Sequence, residues 1–432
     1  MRPAPLLIVL LALWGLSGFA VLFADAPAWA WHAIAAAIAL LALLDAVLLR
    51  RRDTPLVTRD IPEALPLGIE REVSLRVESM IRQRIELFDL HPGAWPAQGL
   101  PQTLTLAPST AATFSYRLRP SARGNAVFEG VQLRMASPLR LWKQSRIAGT
   151  PQRVRVYPNF APLTRFALFS AEQASRLVGA HLKRRRGEGT DFNKMREYRI
   201  GDSLRQIDWK ATSRSRKLIS REYQDEKNQQ LVMMVDTGRR MMAQEGELAH
   251  FDHVLNATLV VSYLALRQGD AAGFFATGGE TRWVAPKRGM ASIDTLLRAS
   301  YDLQPQPVAT DYLAAATELS LRQRKRSLVM LVTNVRDEDI EDLLAAVHLL
   351  QKRHVVCVAS LRESALDQAM DEDVHDLSGA IQAAALARYL EQRSAAHEAL
   401  RSHRVMVLDV TSDELPAALV ERYLAVKRQG LL

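Results

Sequence analysis

Two apolar runs open the chain: Leu6 to Phe23 carries no charged residue, and Trp29 to Leu49 carries only Asp45. A helix needs about 20 apolar residues to cross a bilayer. The pattern therefore predicts two membrane helices, at about 5–23 and 28–49. From about 54 to 160 the pattern becomes one of short alternating runs, such as Val73–Val77, Ala112–Leu118 and Val127–Leu133, separated by Pro and Gly. Alternation of this kind predicts strands with one buried face, and so a small β-sandwich. Beyond 228 the apolar runs are continuous, at Leu231–Val235, Ala271–Ala276, Ser327–Thr333, His354–Ser360 and Val405–Val410. Helical periodicity fills the intervals, over Phe251–Arg267, Tyr312–Gln323, Asp337–Lys352 and Gly379–Arg401. Strands alternating with helices predict an α/β domain over 228–432 on a parallel, doubly wound sheet, whose ligands would sit beyond the carboxyl ends of the strands. A chain of 432 residues has room for these separate cores.

Flanking charge orients the spans. Arg2 precedes the first, Arg50, Arg51 and Arg52 follow the second, and no basic residue lies in the Asp25–Trp31 connection. Both ends and the soluble body are therefore expected on the cytoplasmic side of the inner membrane. A cleaved secretory signal is the competing reading, because Ala24-Asp25-Ala26 has a small-x-small pattern. The length of the run, Pro27 directly after that site and the second span oppose it. Trp29, Trp31 and His32 fall where interfacial residues belong, while Trp14 lies mid-span. Asp45, about a turn and a half before Arg50, reads as an interfacial carboxylate paired with arginine. Cys357 is the single cysteine, which excludes an intramolecular disulfide and suits a reducing compartment; its apolar surroundings predict a packed thiol. The net charge of +9 suits an anionic membrane face and would also suit nucleic acid.

The connecting segment, 161–227, is densest in chemistry. Gly187-Glu188-Gly189-Thr190-Asp191-Phe192 leads into Arg196-Glu197-Tyr198, Gly201-Asp202, Arg205, Ile207-Asp208-Trp209-Lys210 and Arg221-Glu222-Tyr223. The two glycines do not make a phosphate loop, because no lysine-serine/threonine pair closes the pattern. The run reads as an ordered extension with carboxylates and arginines paired and Trp209 as its apolar anchor, or as a partner-binding surface. The basic patch Lys183, Arg184, Arg185 and Arg186 reads as a solvated loop, with anionic lipid or an acidic partner next and nucleic acid last. His250 and His253 lack the further ligands a zinc site needs. No nucleophile elbow or local triad is present, so nothing in the pattern supports catalysis or a cofactor.

The run from Gly187 to Lys210 resembles the bacterial domain-of-unknown-function family fifty-eight (DUF 58), whose hallmark is a Gly-x-Gly-x-Asp-Phe, Arg-Glu-Tyr, Gly-Asp, Arg-x-Ile-x-Trp-Lys sequence. Ser137-Pro138-Leu139-Arg140-Leu141-Trp142, Val156-Tyr157-Pro158-Asn159-Phe160 and Tyr423 to Gly430 extend the resemblance. It implies a C-terminal domain similar to von Willebrand factor A domains and an adaptor role beside MoxR-type AAA+ ATPases. Many von Willebrand A domains hold a divalent cation through Asp-x-Ser-x-Ser, a distant Thr and a further Asp. Here the first element reads Asp236-Thr237-Gly238-Arg239-Arg240, the threonine would be Thr310, and Asn334 stands at the last aspartate position. Loss of both hydroxyls beside a gained guanidinium predicts a degenerate site without metal, with Arg239 or Arg240 reaching Asp236 in the cation's place.

These observations together predict a membrane-anchored, non-enzymatic adaptor that binds a MoxR-type ATPase. The expected contact residues are Asp236, Arg239, Arg240, Thr310 and Asn334, with Arg196, Asp202, Arg205, Asp208 and Trp209 in the charged extension. The rival readings are a hydrolase of envelope precursors using Glu188, Asp191 and Asp202, and a nucleic-acid binder using Lys183–Arg186.

Overall fold

A computed structural model describes residues 1–23, 28–162, 191–199, 204–224, 229–246 and 248–431. The chain divides into two compact units, Met1–Tyr157 and Pro158–Leu432. The possible cleavage site at Ala24–Ala26, the basic patch Lys183–Arg186, Glu188 and Asp202 lie outside the described residues.

In the first unit, helices α1 (Pro5–Phe23) and α2 (Ala28–Arg51) pack together. Trp14 and Trp31 stack with ring centroids 4.3 Å apart, and each indole N–H donates to the other's carbonyl oxygen. Trp31 is thus turned onto α1, where the sequence suggested an interfacial position. By length and composition α2 is apolar enough to cross a membrane, with a mean hydropathy of 2.3.

The rest of this unit is β-structure in three sheets. One is antiparallel, in the order Arg2–Pro3, Trp142–Ala148, Val131–Ala136, Gln83–Asp89, Gln102–Leu106; another runs Leu56–Asp60, Arg71–Ser79, Thr110–Leu118, Ala97–Gln98. Alternation places Val73, Leu75 and Val77 fully inside, as the period of two requires. Between the sheets the buried Asp89 accepts from Arg59 at 2.5 Å and from the Tyr116 hydroxyl at 2.6 Å.

Helix α2 runs directly into this β-structure. Asp45 is fully buried, and it is not paired with arginine as the sequence suggested. Its two oxygens accept the backbone N–H groups of Leu139 (3.0 Å) and Leu141 (3.2 Å). The helix ends at Arg51, under Arg146, whose guanidinium donates to the carbonyl oxygens of Leu49, Arg50 and Arg52. The last carbonyls of a helix lack the usual N–H partner four residues on, although the Leu49 carbonyl oxygen also accepts the Arg52 N–H at 3.3 Å, and a cation there meets the negative end of the helix dipole. The Trp142 indole donates to the Ala42 carbonyl oxygen at 2.8 Å. The Ser137–Trp142 motif is therefore the strand-to-strand loop that receives α2.

In the second unit the sheet has six strands: β1 (Gln230–Asp236), β2 (Ala271–Thr277), β3 (Arg282–Lys287), β4 (Leu328–Thr333), β5 (Val355–Arg362) and β6 (Met406–Thr411). Their order is β3-β2-β1-β4-β5-β6, parallel throughout except for the antiparallel edge strand β3, which the sequence reading missed. Both faces are covered, which is why the strand sequences are continuously apolar. Leu231, Met233 and Val235 face α4 (His250–Arg267), α5 (Ser292–Ser300) and α10 (Leu415–Gln429). Val232 and Met234 face α6 (Tyr312–Arg322), α7 (Ile340–Gln351) and the end of α9 (Leu377–Ser402). Cys357 is buried in β5, and burial pushes its thiol up to about 12, so it is inert. The terminal run fixes α10: the Tyr423 hydroxyl and the Lys427 ammonium, at 2.6 Å, both donate to the buried Asp270.

Asp45→Ala leaves the Leu139 and Leu141 N–H groups without their acceptor, at about 1–3 kcal/mol for the buried Leu141 N–H. Hydrogen exchange of the full chain should therefore accelerate at the Leu139 and Leu141 amides while the amides of β1 and β4 stay protected.

Candidate functional site

The carboxyl end of β1 carries the arrangement with the most concentrated chemistry. Asp236 is wholly buried. One oxygen accepts from the Thr310 hydroxyl at 2.5 Å and the Gly238 N–H at 2.7 Å. The other accepts from the Thr333 hydroxyl at 2.6 Å and the Tyr312 hydroxyl at 3.1 Å. Four neutral donors thus replace the water that burial removed. Thr333 comes from the end of β4 and Tyr312 from the first turn of α6. That turn is fixed by Asp311, which caps Ala314 N–H at 2.7 Å, and by Asp342, which accepts Tyr312 N–H at 2.7 Å. Burial first, and the Asp236 charge second, raise the Tyr312 phenol well above its ordinary value, so it remains a proton donor to the carboxylate.

Neither predicted arginine reaches Asp236. Arg240 turns to the turn Asp337–Asp339, where it pairs with Asp339 at 2.8 Å and with Glu338; Arg239 is exposed, 3.6 Å from Glu338. The expected substitution of a guanidinium for a cation is therefore incorrect. Hydroxyl dipoles meet the carboxylate, and the arginines meet the acidic turn, Arg240 partly buried and Arg239 exposed. Among the predicted residues only Thr310 joins Asp236.

A divalent cation does not fit these residues. Every lone-pair direction of Asp236 faces a donor hydrogen. At Gly238, a Cβ would collide with the Thr310 hydroxyl and stand 2.8 Å from the Val308 carbonyl oxygen, so the serine of a metal-binding version has no room. A Cβ at Gly278, just after β2, would collide with the same hydroxyl. Among the described residues no group of three His, Cys, Asp or Glu side chains is gathered as metal ligands. His250 lies 3.2 Å from Glu245, and His253 faces the Glu245 carbonyl oxygen.

Asn334 belongs to a second buried cluster, centred on Arg393, which the sequence reading passed over. The Arg393 guanidinium donates to Asn334 Oδ1 (2.8 Å), Ser360 Oγ (2.7 Å), the Leu361 carbonyl oxygen (3.0 Å) and Asp409 Oδ1 (2.9 Å). It locks α9 onto the ends of β4, β5 and β6. An arginine on the stripe that includes Ala396, His397 and Leu400 was the available signal. His397, beside it, is buried; burial lowers its pKa, and the Asp409 charge only partly opposes this.

In the charged extension, strands Asp191–Glu197 and Ile219–Gln224 form a hairpin, followed within it by α3 (Trp209–Ser215). Asp208 caps α3: it accepts Ala211 N–H at 3.0 Å and Arg221 at 2.7 Å, and these two hold its carboxyl below the usual carboxylate range. Trp209 is 67% exposed and is not the apolar anchor expected; Ile207 is the buried residue, and it bridges to Ser220. The Arg196 guanidinium donates to the Glu197 carbonyl oxygen at 3.2 Å, and Arg205 lies in the turn Leu204–Gln206.

Asp236→Ala should leave three hydroxyls and an N–H facing a void, lowering the stability of the full chain by about 3 kcal/mol or more in denaturant titrations. Restoring both serines, with Gly238→Ser and Arg240→Ser, should likewise lower the unfolding midpoint and yield no saturable magnesium binding by calorimetry. Stability should also fall with pH. His250, His354 and His397 are each held below the ordinary imidazole value, mainly by burial. The unfolded chain therefore takes up protons first, so stability is fully present above about pH 6.5 and declines as pH falls. His397→Gln should flatten that decline in thermal melts.

An uncharacterized protein of Bacillus subtilis (strain 168), YeaD, is 23% identical over 168 residues, which is 39% of this chain and 40% of that relative. The chain thus matches well under half of that relative's length. A solved structure of an aerotolerance-related membrane protein from Bacteroides fragilis NCTC 9343, with multiple mutations to serines, is 14% identical, with a TM-score of 0.31 over 46% of this chain and 99% of that chain. Proximal thread matrix protein 1 from the mussel byssus is 10% identical, with a TM-score of 0.28 over 46% of this chain and 45% of that one. Residues 194–406, from the hairpin of the charged extension to the first residue of β6, match the model of the family described as protein of unknown function DUF58.

Proposed function

We propose that this chain is a membrane-anchored adaptor whose second unit, a von Willebrand A-like doubly wound domain without a metal, binds a MoxR-type AAA+ ATPase. The strand order, with one antiparallel edge and Asp236 at the end of β1, supports the domain reading. The anchor would be α1 and α2 as a two-pass hairpin with both ends cytoplasmic, supported by Arg2 and Arg50–Arg52.

The observation that carries the binding role is an apolar patch left in water. Helix α8 (Ser364–Asp371) and the first half of α9 expose Met370 (61%), Val374 (52%), Leu377 (76%) and Ile381 (62%). Large apolar side chains exposed within one short stretch that also carries Asp371, Glu372, Asp373 and Asp376 have the composition of a protein interface. Asp236 and Asn334 are buried and cannot touch a partner; Arg239, exposed beside Glu338, is the member of the sheet-end set that can.

The test is a crosslinking pull-down from membranes in the nucleotide-bound state. Leu377→Asp with Ile381→Asp should reduce ATPase capture by about tenfold or more, as loss of a central apolar anchor does, with the thermal midpoint unchanged. Wild-type chain that captures no ATPase overturns the reading.

A further inference from the structure

We infer that the loop Ser137–Trp142 is a lipid-contacting collar that seats the β-structure of the first unit on an anionic bilayer surface. The inference rests on the reading that α2 crosses the membrane, and concerns a different surface from the ATPase contact.

Position comes first. From Ala28 to Asp45 the helix rises about 25 Å, at about 1.5 Å per residue. That is less than the roughly 30 Å hydrocarbon thickness of a bilayer. Asp45 holds the Leu139 N–H at 3.0 Å, Trp142 reaches the Ala42 carbonyl oxygen, and the Ala4 N–H donates to the Leu141 carbonyl oxygen at 2.8 Å. Leu7, Ala42 and Leu141 pack as one cluster. The loop is thereby held against both helices at a level that an unthinned bilayer would reach. At its tip Leu139 is 48% exposed, beside helix faces that expose Leu43 (62%) and Leu48 (52%).

Charge supplies the second argument. Arg2 and Lys143 stand opposite each other across paired strands, a like-charge arrangement that is unfavourable without an anion between or beside them. Arg140, Arg50 and Arg51 are exposed at the same end of the unit, and among the described residues none of these five cations has a carboxylate partner. Five exposed cations with no carboxylate partner among the described residues, on the elements that carry an apolar tip and a bilayer-length helix, are complementary to phospholipid phosphates above acyl chains.

Cys357 is buried, so a single introduced cysteine can be labelled in the full chain. Leu139→Cys keeps the Asp45 contact, which uses backbone. A fluorophore at this position is compared with one at Ile34→Cys, mid-helix, and one at Ala122→Cys. Each is placed in nanodiscs of equimolar phosphatidylglycerol and phosphatidylcholine, in which only one lipid carries brominated acyl chains. The expected result is quenching at 34 and 139 but not at 122, with brominated phosphatidylglycerol quenching position 139 more strongly. Arg140→Gln with Lys143→Gln should erase that preference, each cation contributing roughly fivefold to local anionic-lipid enrichment. An unquenched label at 34 defeats the membrane reading itself. Quenching at 34 without quenching at 139 overturns the collar while leaving the anchor intact, and equal quenching at 139 by both lipids overturns its anionic selectivity.

Discussion

A carboxylate removed from water must find donors or lose its charge, and the arrangement at the end of β1 is organised by that requirement. Asp236 collects a hydroxyl from β4, one from α6, one from the loop before α6 and an N–H from its own strand end. Because the four donors come from separate segments, the carboxylate fixes how β1, β4 and α6 meet. Gly238 and Gly278 are part of the same constraint, since a side chain at either would occupy the place of the Thr310 hydroxyl. A ligand set that needs open lone pairs and serine oxygens is incompatible with this packing.

The first unit solves the same problem with backbone. Asp45 interrupts an otherwise apolar helix, and the loop that receives it supplies two N–H groups. Arg146 then closes the helix end. The two interactions have complementary polarity: a carboxylate answers exposed donors and a guanidinium answers exposed acceptors. A helix joined this way transmits its orientation to the sheet, where a flexible linker would not.

Much of the second unit was legible because continuous apolar strands and helical periodicity are local signals; β1, β2, β4, β5 and β6 fall where the sequence placed them. The edge strand β3 was not, because Arg282–Lys287 is only half-buried and its pattern is weak. The charged residues were misread for one reason. Sequence proximity paired Asp45 with Arg50 and Asp236 with Arg239 or Arg240, yet apart from the Gly238 N–H both carboxylates are met by neutral donors 74 to 97 residues away. Backbone N–H groups and hydroxyls are too common to be noticed as partners until the fold selects them. Trp209 failed in the opposite direction: aromatic size suggested burial, and the smaller Ile207 took the inward position.

The Arg393 cluster bears on how the exposed patch can bind. The buried residues of α9 are Arg393, Ala396, His397 and Leu400, all in its C-terminal half. Leu377 lies about 24 Å from Arg393 along the helix axis, at about 1.5 Å per residue. The apolar half of α9 is thus one end of a helix whose C-terminal half is clamped by hydrogen bonds from a single guanidinium to five partners. A side chain presented on such an element loses little freedom on docking, so more of the burial energy of Leu377 and Ile381 remains as affinity. On the proposed adaptor reading, the buried arginine would contribute to recognition without touching the partner, by holding the C-terminal half of the helix in place.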